Sequence, residues 1–447
     1  MKRPLIHQAN RLFVLGSYQD ARSLYLRIHH SWTGPKAVRE SAGIMANICE
    51  ARLADLCAQR NKKITHGSVH GDEVKVGAIG PDNAQKGLLR DVETVMWACS
   101  HHNKWRSSAF LLASGSLRDI CSEYVPKGSV YQGFPMRMAS DGSRIRLHDW
   151  LQQIDVLVLP EVIDARLLDR AVSSGIKRVV FIPNLEWAFL DGEDHGLDAW
   201  VKLVRSHWPF VLPIARTKSI QQRLASLEIK SILVPWSIPD EVLEPEFDSH
   251  TSRVSEKARL KVLFNGGGLG FRDRRGGDIF LEALRTMPRL SGSIDVVFKS
   301  NMKAKMPSGL LARQDVSLTL LDEFFENREE IEALYRWADV VVYPSRFEGF
   351  GLGLLEALHN GCFVLATDGF PMSELVPDPG MLIDADMVGY VRQAYRYEPS
   401  AADLAKQISK IAARPAAYRI DYSSALVVRQ NRFRQRLCRL IRLASKA

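Results

Sequence analysis

The chain has 447 residues, of which 46% are hydrophobic and 25% are charged, as in an ordinary soluble globular protein. It is too long for one typical domain, and no apolar run approaches the ~20 residues that a membrane-spanning helix needs. The formal charge of +9 indicates an anionic partner, but charge alone does not choose among nucleic acid, acidic lipid headgroups and a phosphorylated substrate.

The cysteines and the N-terminus bear on the compartment. Six scattered cysteines without a C-x-x-C pair predict neither a zinc site nor a disulfide framework. Residues 12–15 are too short for the apolar core of a signal peptide. We therefore expect a cytoplasmic protein.

Residues 1–70 are predicted to form a helical extension. Small and aromatic residues recur there as in one tetratricopeptide-like helical hairpin, at Ala9, Leu12, Gly16, Tyr18, Ala21 and Tyr25. Because a single repeat cannot bury a continuous core, we expect this hairpin to dock on the rest of the chain. A partner-binding or dimerising surface is the alternative.

Residues 71–245 are predicted to form a first α/β domain. Apolar, β-branched segments alternate there with helical patterns, which is typical of a parallel sheet. The predicted strands cover residues 74–80, 109–113, 155–160, 178–183, 210–215 and 231–235.

Residues 238–258, rich in Glu, Ser and Pro, are predicted to link this domain to a second one over residues 259–425. Its predicted strands cover residues 261–265, 294–299, 316–321, 339–343 and 363–367. Two doubly wound halves bind ligands beyond the carboxyl ends of their strands. We therefore expect a site in a cleft between the two domains.

Residues 343–358 combine a strand, a glycine-rich turn and a helix with two carboxylates. Glu348 lies at the strand end and Glu356 about two turns into the helix, with glycines at 349, 351 and 353. Unpaired amides of the first helical turn favour phosphate, and the glycines allow close approach to the backbone. Glu348 can reach a polyol and Glu356 a ribose, so the pattern predicts a nucleotide-sugar site.

A second glycine-rich loop follows the predicted strand 261–265. Successive backbone amides near Gly267 and Gly268 can form an anion-binding nest. The guanidinium groups of Arg272, Arg274 and Arg275 can each bind phosphate oxygens with paired hydrogen bonds. A solvated charge run is the alternative.

The frame P-S-x-x-E-G-F-G-L-x-x-L-E-A over residues 344–357, followed by G-C-F-V-L-A-T-D over 361–368, resembles the signature of glycosyltransferase family 4. The resemblance implies a GT-B fold, with two Rossmann-like domains facing a cleft, and a retaining glycosyltransferase. It implies that Glu348 orients the donor sugar, that Glu356 holds the ribose, and that Phe350, Gly351 and Leu352 contact the donor.

The same resemblance bears on the arginines. Arg275 falls on the lysine that holds the donor diphosphate in the family. The family's preceding arginine has no counterpart, so Arg272 or Arg274 would take its place.

The first domain is expected to supply the acceptor side. Asn83 and Lys86 occupy the loop after its first strand, and Asn184 and Glu186 lie where many family members place a histidine. Residues 426–447 are predicted to form a basic amphipathic helix, whose apolar face either packs on the first domain or contacts anionic membrane.

The pattern and the resemblance together predict a retaining hexosyltransferase that acts on a saccharide or lipid-linked acceptor in bacterial surface polysaccharide or lipopolysaccharide synthesis. A nucleotide-sugar is expected as donor, with no metal, no other cofactor and no nucleic acid. The alternative is a catalytically inactive scaffold that acts through its helical N-terminal segment.

Overall fold

The structure is a computed structural model of the full chain. It describes residues 73–81, 87–112, 127–134, 136–138, 145–161, 163–187, 200–239, 259–267, 274–301, 305–322, 325, 328–418 and 422–446. The chain divides into two compact units, one of residues 1–72 and 421–431, the other of residues 73–420 and 432–447. The predicted helical extension over residues 1–70 lies outside the described residues.

Residues 73–239 form the first lobe, a sheet flanked by helices. Its elements are β1 (Val74–Pro81), α1 (Gly87–Ser100), β2 (Trp105–Leu112), β3 (Lys127–Gln132), β4 (Arg137–Met138), β5 (Ile145–Arg146), α2 (Leu147–Leu151), β6 (Val156–Pro160), α3 (Ala165–Ser173), β7 (Arg178–Ile182), α4 (Trp200–Ser206), β8 (Val211–Ala215), α5 (Lys218–Ser226) and β9 (Ile232–Leu233).

The sheet of the first lobe has nine strands in the order β4-β3-β2-β1-β6-β7-β8-β9, with β5 beside β3. The six predicted strands are present and run parallel. The sequence did not predict β3, β4 and β5, which pair antiparallel at one edge. These three strands are short and polar, so they lack the apolar runs by which buried strands are recognised.

Residues 259–418 form the second lobe. Its elements are β10 (Leu260–Gly267), α6 (Gly277–Thr286), β11 (Ile294–Ser300), β12 (Val316–Leu321), α7 (Arg328–Trp337), β13 (Val340–Tyr343), α8 (Leu352–His359), β14 (Phe363–Thr367), β15 (Leu382–Ile383), β16 (Ala385–Val391), β17 (Ala394–Pro399) and α9 (Ala401–Ala413). A last helix, α10 (Ser423–Ser445), follows it.

The main sheet of the second lobe is parallel, in the order β12-β11-β10-β13-β14-β15. Stacked rings of Phe264, Phe280 and Phe298 fill the space between this sheet and α6. All five predicted strands are present. The strand order places β10 and β13 side by side at the centre, so the loops that follow them meet at one sheet edge.

The antiparallel hairpin β16–β17 was not predicted, and its tip reaches the first lobe. The backbone N–H of Gln393 donates to the carbonyl of Leu185 at 3.1 Å. Arg223 donates to the side chain of Gln393 at 2.6 Å. The hairpin therefore joins the two lobes beside the ends of β7 and α5.

The apolar face of α10 is buried over its C-terminal part. Phe433, Leu437 and Ile441 are fully buried, and Phe433 packs against Trp97 and Trp236 of the first lobe. The apolar face of α10 therefore packs on the first lobe, which is one of the two alternatives raised from the sequence. These side chains are covered by the first lobe and do not face solvent. Among the described residues, no helix combines the length and apolarity needed to cross a membrane.

Candidate active site

A cleft of about 330 Å³ lies where the strand ends of the two lobes face each other. Its walls come from both sheets. They include Arg90, Asp91, Glu93, Glu161, Asn184, Glu186 and Arg216 from the first lobe and Asn265, Gly267, Arg274, Arg275, Tyr343, Glu348, Phe350, Gly351, Leu352, Gly353 and Glu356 from the second. The cleft is therefore rich in charged groups of both signs.

The two glutamates of the glycine-rich turn both line this cleft. Glu348 is buried and forms an ion pair with Arg275, whereas Glu356 lies half-buried on α8. Within the described part of the chain, the carboxylate of Glu356 makes no hydrogen bond or ion pair; only its backbone carbonyl accepts, from Asn360. Gly351 precedes α8 with a φ of 97°, a left-handed conformation that suits glycine. The first amides of α8 and the positive end of its dipole are therefore presented to the cleft.

Packing behind the turn fixes its position. Arg346 donates to Asp278 at the start of α6 at 2.7 and 2.8 Å and to Glu398 of β17 at 3.0 and 2.8 Å. A Cβ on Gly353 would lie 2.4 Å from the hydroxyl of Tyr343, so only glycine fits there. The two glutamates are thus held by a rigid frame.

The arginine loop approaches the turn from β10. Gly276 has a φ of 67°, and a Cβ on it would lie 2.1 Å from the carbonyl oxygen of Pro344. This contact brings Arg275 to Glu348. Gly267 also lines the cleft, whereas Gly268 and Arg272 lie outside the described residues.

Arg274 contacts the first lobe, whereas Arg275 contacts Glu348 of the second lobe. It forms an ion pair with Glu186 of the first lobe. Burial opposes its charge, but the carboxylates of Glu348 and Glu186 outweigh burial and raise the pKa of Arg274. Both arginines that would face a diphosphate are therefore already paired with carboxylates.

The first lobe contributes a small polar cluster centred on Asn184. Its Nδ2 donates to Glu161 Oε2 at 3.2 Å and to Glu186 Oε1 at 3.3 Å, and its Oδ1 accepts from the N–H of Glu186 at 3.3 Å. A Cβ on Gly349 would lie 1.8 Å from Asn184 Oδ1, so the cluster abuts the second-lobe turn. Asn184 and Glu186 thus reach the cleft, while Asn83 and Lys86 lie outside the described residues.

Sequence reasoning missed Glu161, which immediately follows β6. Burial raises the pKa of Glu161 to about 7, against the hydrogen bond from Asn184, which lowers it. The signal available was a glutamate at the end of a fully apolar strand, β6, which lies next in the sheet to β7, the strand that precedes Asn184.

Arg216 also lines the cleft, after β8. It forms a buried ion pair with Asp91 at 3.2 Å, and its guanidinium lies 4.6 Å from the centre of the Phe350 ring. The structure buries Arg216 beneath the cleft surface. Burial raises the pKa of Asp91 despite the opposing charge of Arg216.

No group of three or more His, Cys, Asp or Glu side chains within the described ranges is arranged to hold a metal ion. The polar groups of the cleft instead pair with one another. Its chemistry therefore rests on arginines, carboxylates, asparagine amides and a helix N-terminus, which suit a ligand that carries both phosphates and hydroxyls.

Residues 323–417 match the family model described as Glycosyl transferases group 1. The match covers Glu348, the glycine-rich turn that follows it, and α8 with Glu356. Over this range the chain is similar to the group 1 glycosyltransferases. Arg274 and Arg275, which precede residue 323, lie outside the match.

A curated relative is similar over part of its length. It is the lipopolysaccharide core biosynthesis mannosyltransferase LpsB of Rhizobium meliloti, 27% identical over 178 residues. The alignment covers 36% of this chain and 48% of the relative, so it spans about half of the relative's length.

Solved structures match more of the chain. A glycosyltransferase from Rickettsia africae is 12% identical, with a TM-score of 0.53, and covers 83% of this chain and 98% of its own. Anabaena HepE, solved in complex with UDP and glucose, is 13% identical, with a TM-score of 0.51, over 82% and 99% of the two chains. At these identities the likeness establishes the fold alone, which is GT-B.

Proposed function

We propose that this chain is a retaining glycosyltransferase, which transfers a sugar from a nucleotide-sugar to a saccharide or lipid-linked acceptor in the synthesis of a bacterial surface polysaccharide. The observation that carries the proposal is the cleft around α8. Glu348 and Glu356 flank a left-handed glycine at a helix N-terminus, with Arg275 beside them. The name of the Rhizobium relative supports a lipopolysaccharide acceptor and makes mannose the first sugar to test.

In the proposed reaction, the second lobe holds the donor. Arg275, the amides at the start of α8 and the glycines near Gly267 would stabilise the negative charge that develops on the leaving nucleoside diphosphate. Glu356 would accept hydrogen bonds from the ribose, because its carboxylate has no other partner in the described part of the chain. Glu348 would orient the sugar ring.

The acceptor would bind against the first lobe and attack the sugar from the side of the leaving group. A donor phosphate oxygen would take the proton of the attacking hydroxyl, so no protein nucleophile is required. The reaction as proposed needs no metal or other cofactor and would take place on the cytoplasmic side of the membrane.

Nucleotide binding is the direct test of the donor site. We would measure the melting temperature of the chain with UDP, GDP, CDP and ADP and with their sugar derivatives, GDP-mannose first. We expect one nucleotide to stabilise the unmutated chain, since a ligand that binds only the folded state raises the melting temperature. Glu356→Ala and Arg275→Ala should abolish the shift.

Two controls complete the test. Glu329→Gln changes an exposed carboxylate on α7 and should retain the full shift. A shift that persists in both Glu356→Ala and Arg275→Ala would contradict this donor site. Nucleotide binding without transfer to any acceptor would instead favour the inactive scaffold.

A further inference from the structure

Glu161 occupies a strained position at the edge of the cleft. It follows β6 with a φ of 68°, a conformation that glutamate rarely adopts. Its N–H donates to the carbonyl of Ile182 at 2.8 Å, which fixes the residue to the end of β7. Strain of this kind persists only where the surroundings enforce it, and it is common at functional sites.

The hydrogen bonds of Asn184 determine which Glu161 oxygen is available. The amide NH2 of Asn184 faces two carboxylate oxygens, Glu161 Oε2 and Glu186 Oε1, while its oxygen accepts from a backbone N–H. The orientation of the amide is therefore fixed. Glu161 Oε1 makes no hydrogen bond among the described residues, although Glu161 lines the cleft.

The neighbouring cations do not pair with Glu161. Arg274 is paired with Glu186 and Arg216 with Asp91. Burial, and then the carboxylates of Glu186 and Asp91, raise the pKa of Glu161, whereas the hydrogen bond from Asn184 and the charge of Arg216 lower it. The ionised oxygen Glu161 Oε1 itself repels a phosphate, whereas it can accept a hydrogen bond from a hydroxyl group.

We infer that Glu161 is an acceptor-binding residue, whose ionised Oε1 accepts a hydrogen bond from a hydroxyl of the acceptor sugar. This inference rests on the proposed function. The position supports the acceptor rather than the donor, because Glu161 belongs to the first lobe and reaches the second-lobe turn only through Asn184, which abuts Gly349.

Protonation would reverse the polarity of this hydrogen bond. Because Oε2 accepts from Asn184, the proton of the neutral acid sits on Oε1, which then donates instead of accepting. The pKa of about 7 places this change within the working pH range. Glu161→Gln imitates the protonated form, since its amide oxygen must face Asn184 and its NH2 group must face the cleft.

The test is the steady-state kinetics of the full chain with GDP-mannose as donor and methyl α-mannoside as acceptor; if the nucleotide panel selects another donor, that donor is used. We expect Glu161→Gln to raise the acceptor KM by about tenfold to a hundredfold, as for a lost hydrogen bond to a charged group, and to leave nucleotide affinity within about twofold. The kcat/KM of the unmutated chain for acceptor should rise with pH through about 7. That rise should be absent from Glu161→Gln and present in Glu161→Asp, which keeps a titratable carboxylate.

Glu228→Gln is the matched control. Glu228 is a glutamate of the same lobe with a φ of 58°, but its side chain is 81% exposed and does not line the cleft. The Glu228→Gln variant should have the same acceptor KM and the same pH profile of kcat/KM as the unmutated chain. An unchanged acceptor KM and pH profile in Glu161→Gln would overturn the inference while leaving the transferase proposal intact. Failure of the unmutated chain to bind any nucleotide would overturn the transferase proposal itself, and the inference with it.

Discussion

At the scale of single residues, Glu161 makes the stability of the fold depend on pH. Its pKa rises from 4.5 to about 7 on folding, mainly through burial. The folded chain therefore holds the proton more tightly than the unfolded chain, and stability falls as pH rises between these two values. The cost of keeping the ionised group folded is fully present above about pH 7 and is at most about 3 kcal/mol.

We therefore expect Glu161→Gln to melt at a higher temperature than the unmutated chain at about pH 8, with no such gain at about pH 4. Thermal unfolding monitored by circular dichroism at both pH values would measure this. A difference between the two chains that is the same at both pH values would contradict the assignment of the titrating group.

Gly276 is the residue that lets the arginine loop lie against the turn. An alanine there would have to adopt a φ of 67° and would meet the carbonyl of Pro344, a backbone group that cannot rotate away. The left-handed conformation alone costs about 1 to 2 kcal/mol, and the clash adds to it. We expect Gly276→Ala to lower the melting temperature and to weaken nucleotide binding.

Gly292 provides the control for this substitution. A Cβ at Gly292 would meet no atom within 4 Å, and its φ is not positive. Gly292→Ala should melt close to the unmutated chain and bind nucleotide normally. Equal losses in both variants would show that the contact with Pro344 is unimportant.

At the scale of elements, the N-terminus of α5 is completed by a residue from the other lobe. Thr217 accepts from the N–H of Ile220, and the carboxylate of Glu374 accepts from the N–H groups of Lys218 and Ser219 at 2.9 and 2.8 Å. Three amides of the first turn are thereby satisfied. The carboxylate also interacts favourably with the helix dipole.

We expect Glu374→Ala to destabilise the chain by about 1 to 2 kcal/mol, as for a lost helix cap. It should also loosen the contact between the lobes, which small-angle scattering would detect as a larger radius of gyration. Asp164→Ala removes a cap within the first lobe, on α3, and should destabilise without changing the radius. An unchanged radius in Glu374→Ala would contradict a role for this cap in holding the lobes together.

Elements with continuous apolar patterns were predictable from the sequence. The strand ranges given for β6, β7, β13 and β14 agree with the structure to within a residue or so because each is a buried run bounded by polar residues. The hairpin β16–β17 was not predictable by the usual signals. Its turn contains Arg392 at a φ of 53°, where a glycine or asparagine would have marked it.

The candidate site was predictable where it is local in sequence. Glu348, Gly351 and Glu356 belong to one strand, turn and helix, so their spacing alone places them on one side of the sheet edge. Glu161 and Arg216 are far apart in sequence and carry no motif. They meet the cleft only because β6, β7 and β8 are neighbours in the folded sheet.

At the scale of the whole molecule, the cleft is spanned by polar contacts from several directions. Glu186 receives Arg274 through its carboxylate and Arg392 of the hairpin through its backbone carbonyl, the latter at 2.6 Å. A charged ligand that enters the cleft competes for these same charged groups. We therefore expect the two lobes to move relative to each other when the donor binds.

The ion pair between Arg274 and Glu186 has a consequence for the end of a catalytic cycle. Arg274 can hold a diphosphate only by leaving Glu186, and the carboxylate then remains beside it as a competitor for the same guanidinium. We expect Glu186→Gln to bind the free nucleoside diphosphate about three- to tenfold more tightly, because one competing ion pair is removed. Stopped-flow dissociation should show that this variant releases the nucleotide more slowly. Equal or weaker binding would contradict the competition. The carboxylate of Glu186 would displace the nucleoside diphosphate product from Arg274. Such displacement favours rapid product release over tight product binding.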